Sequence, residues 1–147
     1  MRVLLQRVTR AKVTVADEVR GSVADGLMAL VGVGPPDTPE IAQSLAAKSV
    51  DLRIFRDDEG RTNRSLVDVG GAMLVVSQFT LYGDTRKGRR PSFIGAAKPD
   101  LAAELVEVFA QAVEARGIDV GRGEFGAEME VELVNDGPMT IWLDSDA

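Results

Sequence analysis

The chain has 147 residues, 45% hydrophobic and 27% charged; this balance and length describe one globular domain, 1–147, with room for a real core. Its net charge of −6 excludes a protein that coats nucleic acid non-specifically, but not a local basic patch. It holds no Cys and no His, which excludes disulfides, thiol nucleophiles, Cys-based metal sites and a Ser-His-Asp triad within the chain.

Arg2 to Val8 alternate and are rich in Val and Leu, and Lys12 to Val15 do so again. Thr9-Arg10-Ala11 between them reads as a turn or as a bulge in one long strand. Met1 to Arg7 is too short and too soon charged for a signal peptide, and no apolar run approaches the ~18 residues of a membrane span, so a cytoplasmic protein without a membrane partner is expected. Ala16-Asp17-Glu18 is a turn, followed by a short strand to Val23. Gly26 opens a buried strand, Leu27 to Val33, which Gly34-Pro35-Pro36-Asp37 breaks.

Thr38-Pro39-Glu40-Ile41 is a helix start, with Thr38 as N-cap and Pro39 at the first helical position. Ile41, Leu45, Lys48 and Leu52 fall near one face, and the helix should end between Val50 and Arg53. Ile54-Phe55 suggests a short strand. Asp57-Asp58-Glu59-Gly60 is a turn whose acids are consecutive rather than alternating, so a calcium loop is not expected; neither metal nor cofactor is implied.

The stretch Gly70-Gly71-Ala72-Met73-Leu74-Val75-Val76-Ser77-Gln78-Phe79-Thr80 is the first landmark. A short apolar run bounded by turn residues reads as a strand buried on both faces. It ends in three hydrogen-bonding side chains, Ser77, Gln78 and Thr80, around Phe79. Either these are tied into local bonds or they line a site, because an unpartnered buried polar group costs roughly 1–3 kcal/mol. A polar segment, Tyr82 to Pro99, follows. It carries Arg86, Lys87, Arg89 and Arg90, which read either as a solvated loop or as a phosphate-docking patch.

Pro99-Asp100 begins a second helix, with Leu101, Leu105, Val108, Phe109 and Ala112 on its apolar face and Arg116-Gly117 at its end. Met129, Val131 and Leu133 then alternate with Glu128, Glu130 and Glu132, the pattern of a strand with one buried face. The second landmark, Asn135-Asp136-Gly137-Pro138-Met139-Thr140, precedes Ile141-Trp142-Leu143. Locally it reads as a tight hairpin turn between two strands. The expected fold class is α+β and mostly β: a small closed β-barrel-like sheet with two packed helices.

Ser77-Gln78-Phe79-Thr80 and Asn135 to Thr140, in that order, resemble the bacterial D-aminoacyl-tRNA deacylases. Gln6-Arg7-Val8, Val13-Thr14-Val15, Arg53-Ile54-Phe55, Arg90-Pro91-Ser92-Phe93 and Gly123-Glu124-Phe125-Gly126-Ala127 extend the likeness over essentially the whole chain. The resemblance implies a homodimer with active sites at the subunit interface. It implies hydrolysis of the ester between a D-amino acid and the 3′-terminal adenosine of tRNA, and of glycine mischarged on tRNA(Ala). Ser77, Gln78, Phe79 and Thr80 then correspond to the residues that hold the adenosine and the ester. Gly137 and Pro138 correspond to a cis Gly-Pro motif that enters the partner's pocket and excludes L-amino acids. Arg7 corresponds to the arginine bracing that motif, with Asn135, Met139 and Thr140 in support. Met139 departs from the family's usual Val; a flexible apolar side chain preserves an apolar wall.

The missing His bears on mechanism. Thr80 as nucleophile would need a base, such as Lys87 or an acid brought near by the fold. Alternatively the protein positions the substrate, the ribose 2′-OH assists water, and backbone N–H groups near Phe79 and Thr80 hold the oxyanion. The rival outside enzymology is a non-catalytic RNA-binding module using Arg86 to Arg90, against which the aromatic content of 5% counts.

Overall fold

The computed structural model describes residues 1–147. Its element order is β1 (Arg2–Val15), β2 (Glu18–Val23), β3 (Gly26–Gly32), α1 (Pro39–Asp51), β4 (Phe55–Arg56), β5 (Thr62–Arg64), α2 (Leu66–Val69), β6 (Ala72–Ser77), a 3-10 turn (Phe79–Tyr82), α3 (Pro99–Glu114), β7 (Val120–Arg122) and β8 (Glu130–Asp144).

β1 is one continuous strand, so Thr9-Arg10-Ala11 is not a turn. Its first half pairs antiparallel with β3 (Arg2↔Gly32 to Val8↔Gly26), and its second half pairs with β2. Ala16 and Asp17 both have positive φ, which lets the β1–β2 hairpin turn within two residues. β6 lies parallel to β3, and β7 parallel to β6. The sheet is therefore mixed, and it nearly closes on itself where β7 returns to β2. There a Cβ on Gly21 would lie 2.5 Å from the Arg122 carbonyl oxygen, so this approach needs glycine.

The alternation read from Met129 onward belongs to a much longer strand. β8 pairs antiparallel with β1 from Thr14↔Glu130 to Arg2↔Asp144. The hairpin expected at Asn135 to Thr140 is absent, because the segments on both sides of it pair with the same strand. Asn135 pairs with Val8 and Thr140 with Gln6, so four residues of β8 stand against Arg7 alone. Asp136 to Met139 is an enlarged bulge within one strand.

Three helices accompany the sheet rather than two. Thr38 caps α1 through Ile41 N–H (3.3 Å). The buried face of α1 is Ala42, Leu45, Ala46, Ser49 and Val50, while Lys48 is exposed. Ile41 and Leu52 are half-buried and pack against the edge of the core. α3 buries Ala102, Leu105, Phe109, Ala110 and Val113, turned slightly from the face expected. The added helix, α2, is one turn with a Ser65/Asp68 capping box and left-handed Gly70 at its end. One core of 23 buried residues lies between the helices and the sheet, and a second of six lies on the other face, where β1, β3 and β6 meet. No helix is long and apolar enough to cross a membrane.

Candidate active site

β6 is flanked by parallel strands on both edges, and Met73 to Val76 are buried, as expected of a two-face strand. Gln78 N–H donates to Val31 O (2.8 Å), carrying the ladder just past the end of β6. The chain then turns: Leu81 N–H donates to Gln78 O and Gly83 N–H to Thr80 O. As at any such turn, the leading N–H groups, here of Phe79 and Thr80, have no acceptor in the chain. The Gln78 side-chain amide donates to the Thr80 hydroxyl oxygen. Arg2 fastens the turn from β1. Its guanidinium donates to Leu81 O (2.8 Å) and lies over the Tyr82 ring, 4.4 Å from the centroid. Burial pushes the Tyr82 hydroxyl pKa well above its ordinary value.

Ser77 and Gln78 form the polar part of the wall of a cavity of about 430 Å³, with Phe79 beside them, within the range of small-molecule sites. The rest is apolar: Val31, Val33 and Val76 from the sheet, Ala102 and Val106 from α3, and Phe125, Met129 and Val131 from the approach to β8 and its start. Gln78 and Thr80 bond to one another, while Ser77 and Gln78 line a cavity. Thr80 is exposed and does not line it. The apolar wall residues Phe125 and Met129 are absent from the predicted site; only the Gly123 to Ala127 motif hinted at this loop.

The second landmark lies elsewhere on the same chain. None of Asn135 to Thr140, nor Arg7, lines that cavity. The Gly137–Pro138 peptide bond is cis. Arg7 is only 3% exposed, and it donates from Nε to Asp136 O (3.0 Å) and from Nη1 to Ile54 O (2.6 Å). Asn135 Nδ2 donates to Arg7 O (2.9 Å) and Met139 O (3.1 Å), tying both ends of the bulge. The Asp136 carboxylate takes a two-pronged pair from Arg56 (2.9 and 3.1 Å) and lies 3.1 Å from Arg7 Nε. Hydrogen bonding from Arg56, then the charge of Arg7, holds its pKa below the usual carboxylate value. Sequence reading missed Arg56, which carries no local signal because its partner lies far downstream. Thr140 accepts from Gln6 Nε2 (3.1 Å).

In the basic segment, backbone bonds between Asp84 and Ser92 close a loop. Asp84 accepts from Arg86 Nε and Nη2 (2.9 and 2.7 Å), which lowers its pKa to about 2. Arg86 is thus engaged within the loop. Lys87, Arg89 and Arg90 are exposed and make no ion pair. No three His, Cys, Asp or Glu side chains converge anywhere.

Known proteins resemble this chain in sequence and in fold. The D-Tyr-tRNA(Tyr) deacylase family pattern matches residues 4–144. A D-aminoacyl-tRNA deacylase of Roseiflexus castenholzii is 61% identical, covering 99% of this chain and 92% of that protein. One from Deinococcus deserti is 56% identical, covering 98% and 99%. Among solved structures, a c-Myc DNA unwinding element binding protein superposes with a TM-score of 0.92 at 35% identity, covering 100% of both chains. A probable eukaryotic D-amino acid tRNA deacylase shares the fold with a TM-score of 0.84 at 23% identity, covering 97% of both. The nearly closed mixed sheet, the cavity at the end of β6 and a family match spanning almost the whole chain lead to one assignment: the chain belongs to the D-aminoacyl-tRNA deacylases, a family of hydrolases.

Proposed function

We propose that this chain hydrolyses the ester joining a D-amino acid to the 3′-terminal adenosine of cytoplasmic tRNA, releasing free tRNA and the amino acid. The observation that carries this reading is the apolar cavity whose polar edge is Ser77 and Gln78, with Phe79 beside them. The cavity takes the adenosine, leaving the ester at the Phe79–Thr80 turn. The unpaired N–H groups of Phe79 and Thr80 are the donors available to the oxyanion that forms when water adds to the ester carbonyl. One such donor contributes about 3–4 kcal/mol of transition-state stabilisation. Collapse of the intermediate expels the ribose 3′ oxygen, which takes up a proton.

Thr80 acts by positioning. Its hydroxyl accepts from the Gln78 amide, and no base is bonded to it, so nothing on the protein is poised to remove its proton. The ribose 2′-OH beside the ester supplies the assistance to water instead. Orientation alone supplies up to roughly 7–11 kcal/mol of barrier reduction. The test is Thr80→Ala and Thr80→Val, with tRNA ending in 2′-deoxyadenosine as a parallel substrate. Residual turnover in both variants and loss with the deoxy substrate are expected. Abolished turnover in both variants with tRNA affinity intact would restore a threonine nucleophile.

Chiral selection is assigned to Gly137-Pro138, reaching the cavity from the partner chain of a homodimer. Its support is twofold: the bulge is firmly braced, yet it stands outside its own chain's cavity. Backbone acceptors there fix the substrate's α-amino group, so a D side chain leaves toward solvent and an L side chain strikes the wall. Glycine has no side chain to reject, so Gly-tRNA(Ala) is a substrate too. Co-expressing a Phe79→Ala chain with a chain lacking Gly137-Pro138 should restore one working site per mixed dimer. Failure of such mixing to recover any activity would argue for a site within one chain. The non-catalytic RNA-binding alternative predicts binding without turnover.

A further inference from the structure

The fold brings Phe79 against a segment whose basic and apolar groups, Lys87 to Ile94, are neighbours in sequence. The Phe93 ring packs edge-on against Phe79, with centroids 5.2 Å apart and planes at 78°. Phe79 lines the cavity and is 55% exposed, Phe93 is 40% exposed, and the next residue, Ile94, is 91% exposed. These three make an apolar ledge leading away from the cavity mouth. The segment bearing it is fixed at both ends, by the Asp84–Ser92 backbone pair and by Ala97 N–H donating to Val33 O (2.9 Å). The loop that the pair closes carries Lys87, Arg89 and Arg90, all exposed and without acidic partners, whereas Arg86 is neutralised by Asp84. An aromatic and aliphatic ledge beside unpaired cations suits unpaired nucleotides, whose bases stack while their phosphates meet the cations.

We propose that this ledge carries the single-stranded 3′ overhang of the tRNA substrate. The unpaired nucleotides preceding the terminal adenosine lie over Phe93 and Ile94, and their phosphates face Lys87, Arg89 and Arg90. This rests on the adenosine occupying the adjacent cavity. Charge complementarity selects a polyanion, and the ledge selects one with exposed base faces rather than a duplex, whose bases are stacked inside. The aromatics needed for stacking are therefore present, assembled by the fold from residues fourteen positions apart in the chain.

The experiment is single-turnover hydrolysis of D-tyrosyl esters on three carriers: adenosine, a trinucleotide ending in adenosine, and whole tRNA. The proteins are the full chain, Ile94→Asp, and the triple variant Lys87→Ala/Arg89→Ala/Arg90→Ala. The trinucleotide-to-adenosine rate ratio should fall at least tenfold in each variant. In the triple variant the trinucleotide's log–log salt slope should flatten by about 1.4, two phosphates at roughly 0.7 each. An unchanged ratio would overturn the proposal. So would a loss confined to whole tRNA, which would move the contact to the duplex stem. A changed oligomeric state of Ile94→Asp would also overturn it, by assigning the ledge to the subunit contact. Inactivity of the unmodified chain on all three carriers would instead remove the deacylase reading, and this proposal with it.

Discussion

Replacing Arg7 by lysine keeps the charge and removes the geometry. The guanidinium serves three acceptors at once: Ile54 O at 2.6 Å, Asp136 O at 3.0 Å and the Asp136 carboxylate at 3.1 Å. A lysine ammonium is a single point donor and cannot span them. The Ile54 carbonyl belongs to a residue 8% exposed, so losing its charge-assisted bond costs about 1.5–3 kcal/mol. The Asp136 carbonyl is less buried and adds about 1 kcal/mol. The carboxylate keeps its two-pronged bond from Arg56 and adds little. Arg7→Ala should therefore cost roughly 2.5–4 kcal/mol, and Arg7→Lys about half of that. For a domain of this size 3 kcal/mol lowers Tm by about 6–12 °C, leaving the protein folded at 25 °C. Because the same bonds set the bulge, deacylation of D-Tyr-tRNA should drop tenfold or more in both variants, and the D-to-L ratio should narrow. The assays are urea unfolding and paired D- and L-Tyr-tRNA hydrolysis. Arg7→Lys with stability within 0.5 kcal/mol of the parent and unchanged selectivity would refute the reasoning, since neither the fork nor the bracing would then matter.

Asp136 gives a pH prediction. Its pKa is lower folded than unfolded, so its contribution to stability is present above about pH 4 and disappears as pH falls through the folded value. The Tm gap between the parent and Asp136→Asn should accordingly be open at pH 6 and closed in strong acid; a gap that widens on acidification would reverse the sign. Gly26→Ala should be destabilising by more than about 2 kcal/mol, because its Cβ would sit 1.8 Å from the Ala72 carbonyl oxygen where β3 and β6 begin to pair. Normal yield and Tm of that variant would show the strands free to separate. EDTA should leave turnover unchanged, since no His or Cys exists and the cavity wall carries no carboxylate; loss restored by a divalent cation would call for a metal step.

Local chemistry made much of the fold readable. Thr38 and Pro39 mark a helix start whose cap depends only on neighbours three residues away, and the two-face burial of β6 is visible in four consecutive apolar residues. What failed was non-local. Asn135 to Thr140 has every residue preference of a hairpin turn, yet its flanks share β1 as partner, and pairing between residues more than a hundred positions apart leaves no local trace. The small-residue face of α1 is hidden for a related reason: Ala42 and Ala46 are buried by what packs against them, not by their own hydrophobicity. At the site, Ser77 to Phe79 could be named because a polar strand end is anomalous. Arg56, Arg2 and Phe125 could not, because each is an ordinary surface residue until its partner is known.

The most direct measurement is the initial rate of hydrolysis of D-Tyr-tRNA and L-Tyr-tRNA by the purified protein, matched in tRNA and without added metal. Rapid release of tyrosine from the D ester and background loss from the L ester are expected. Equal rates on both esters, or none on the D ester, would contradict chiral deacylation.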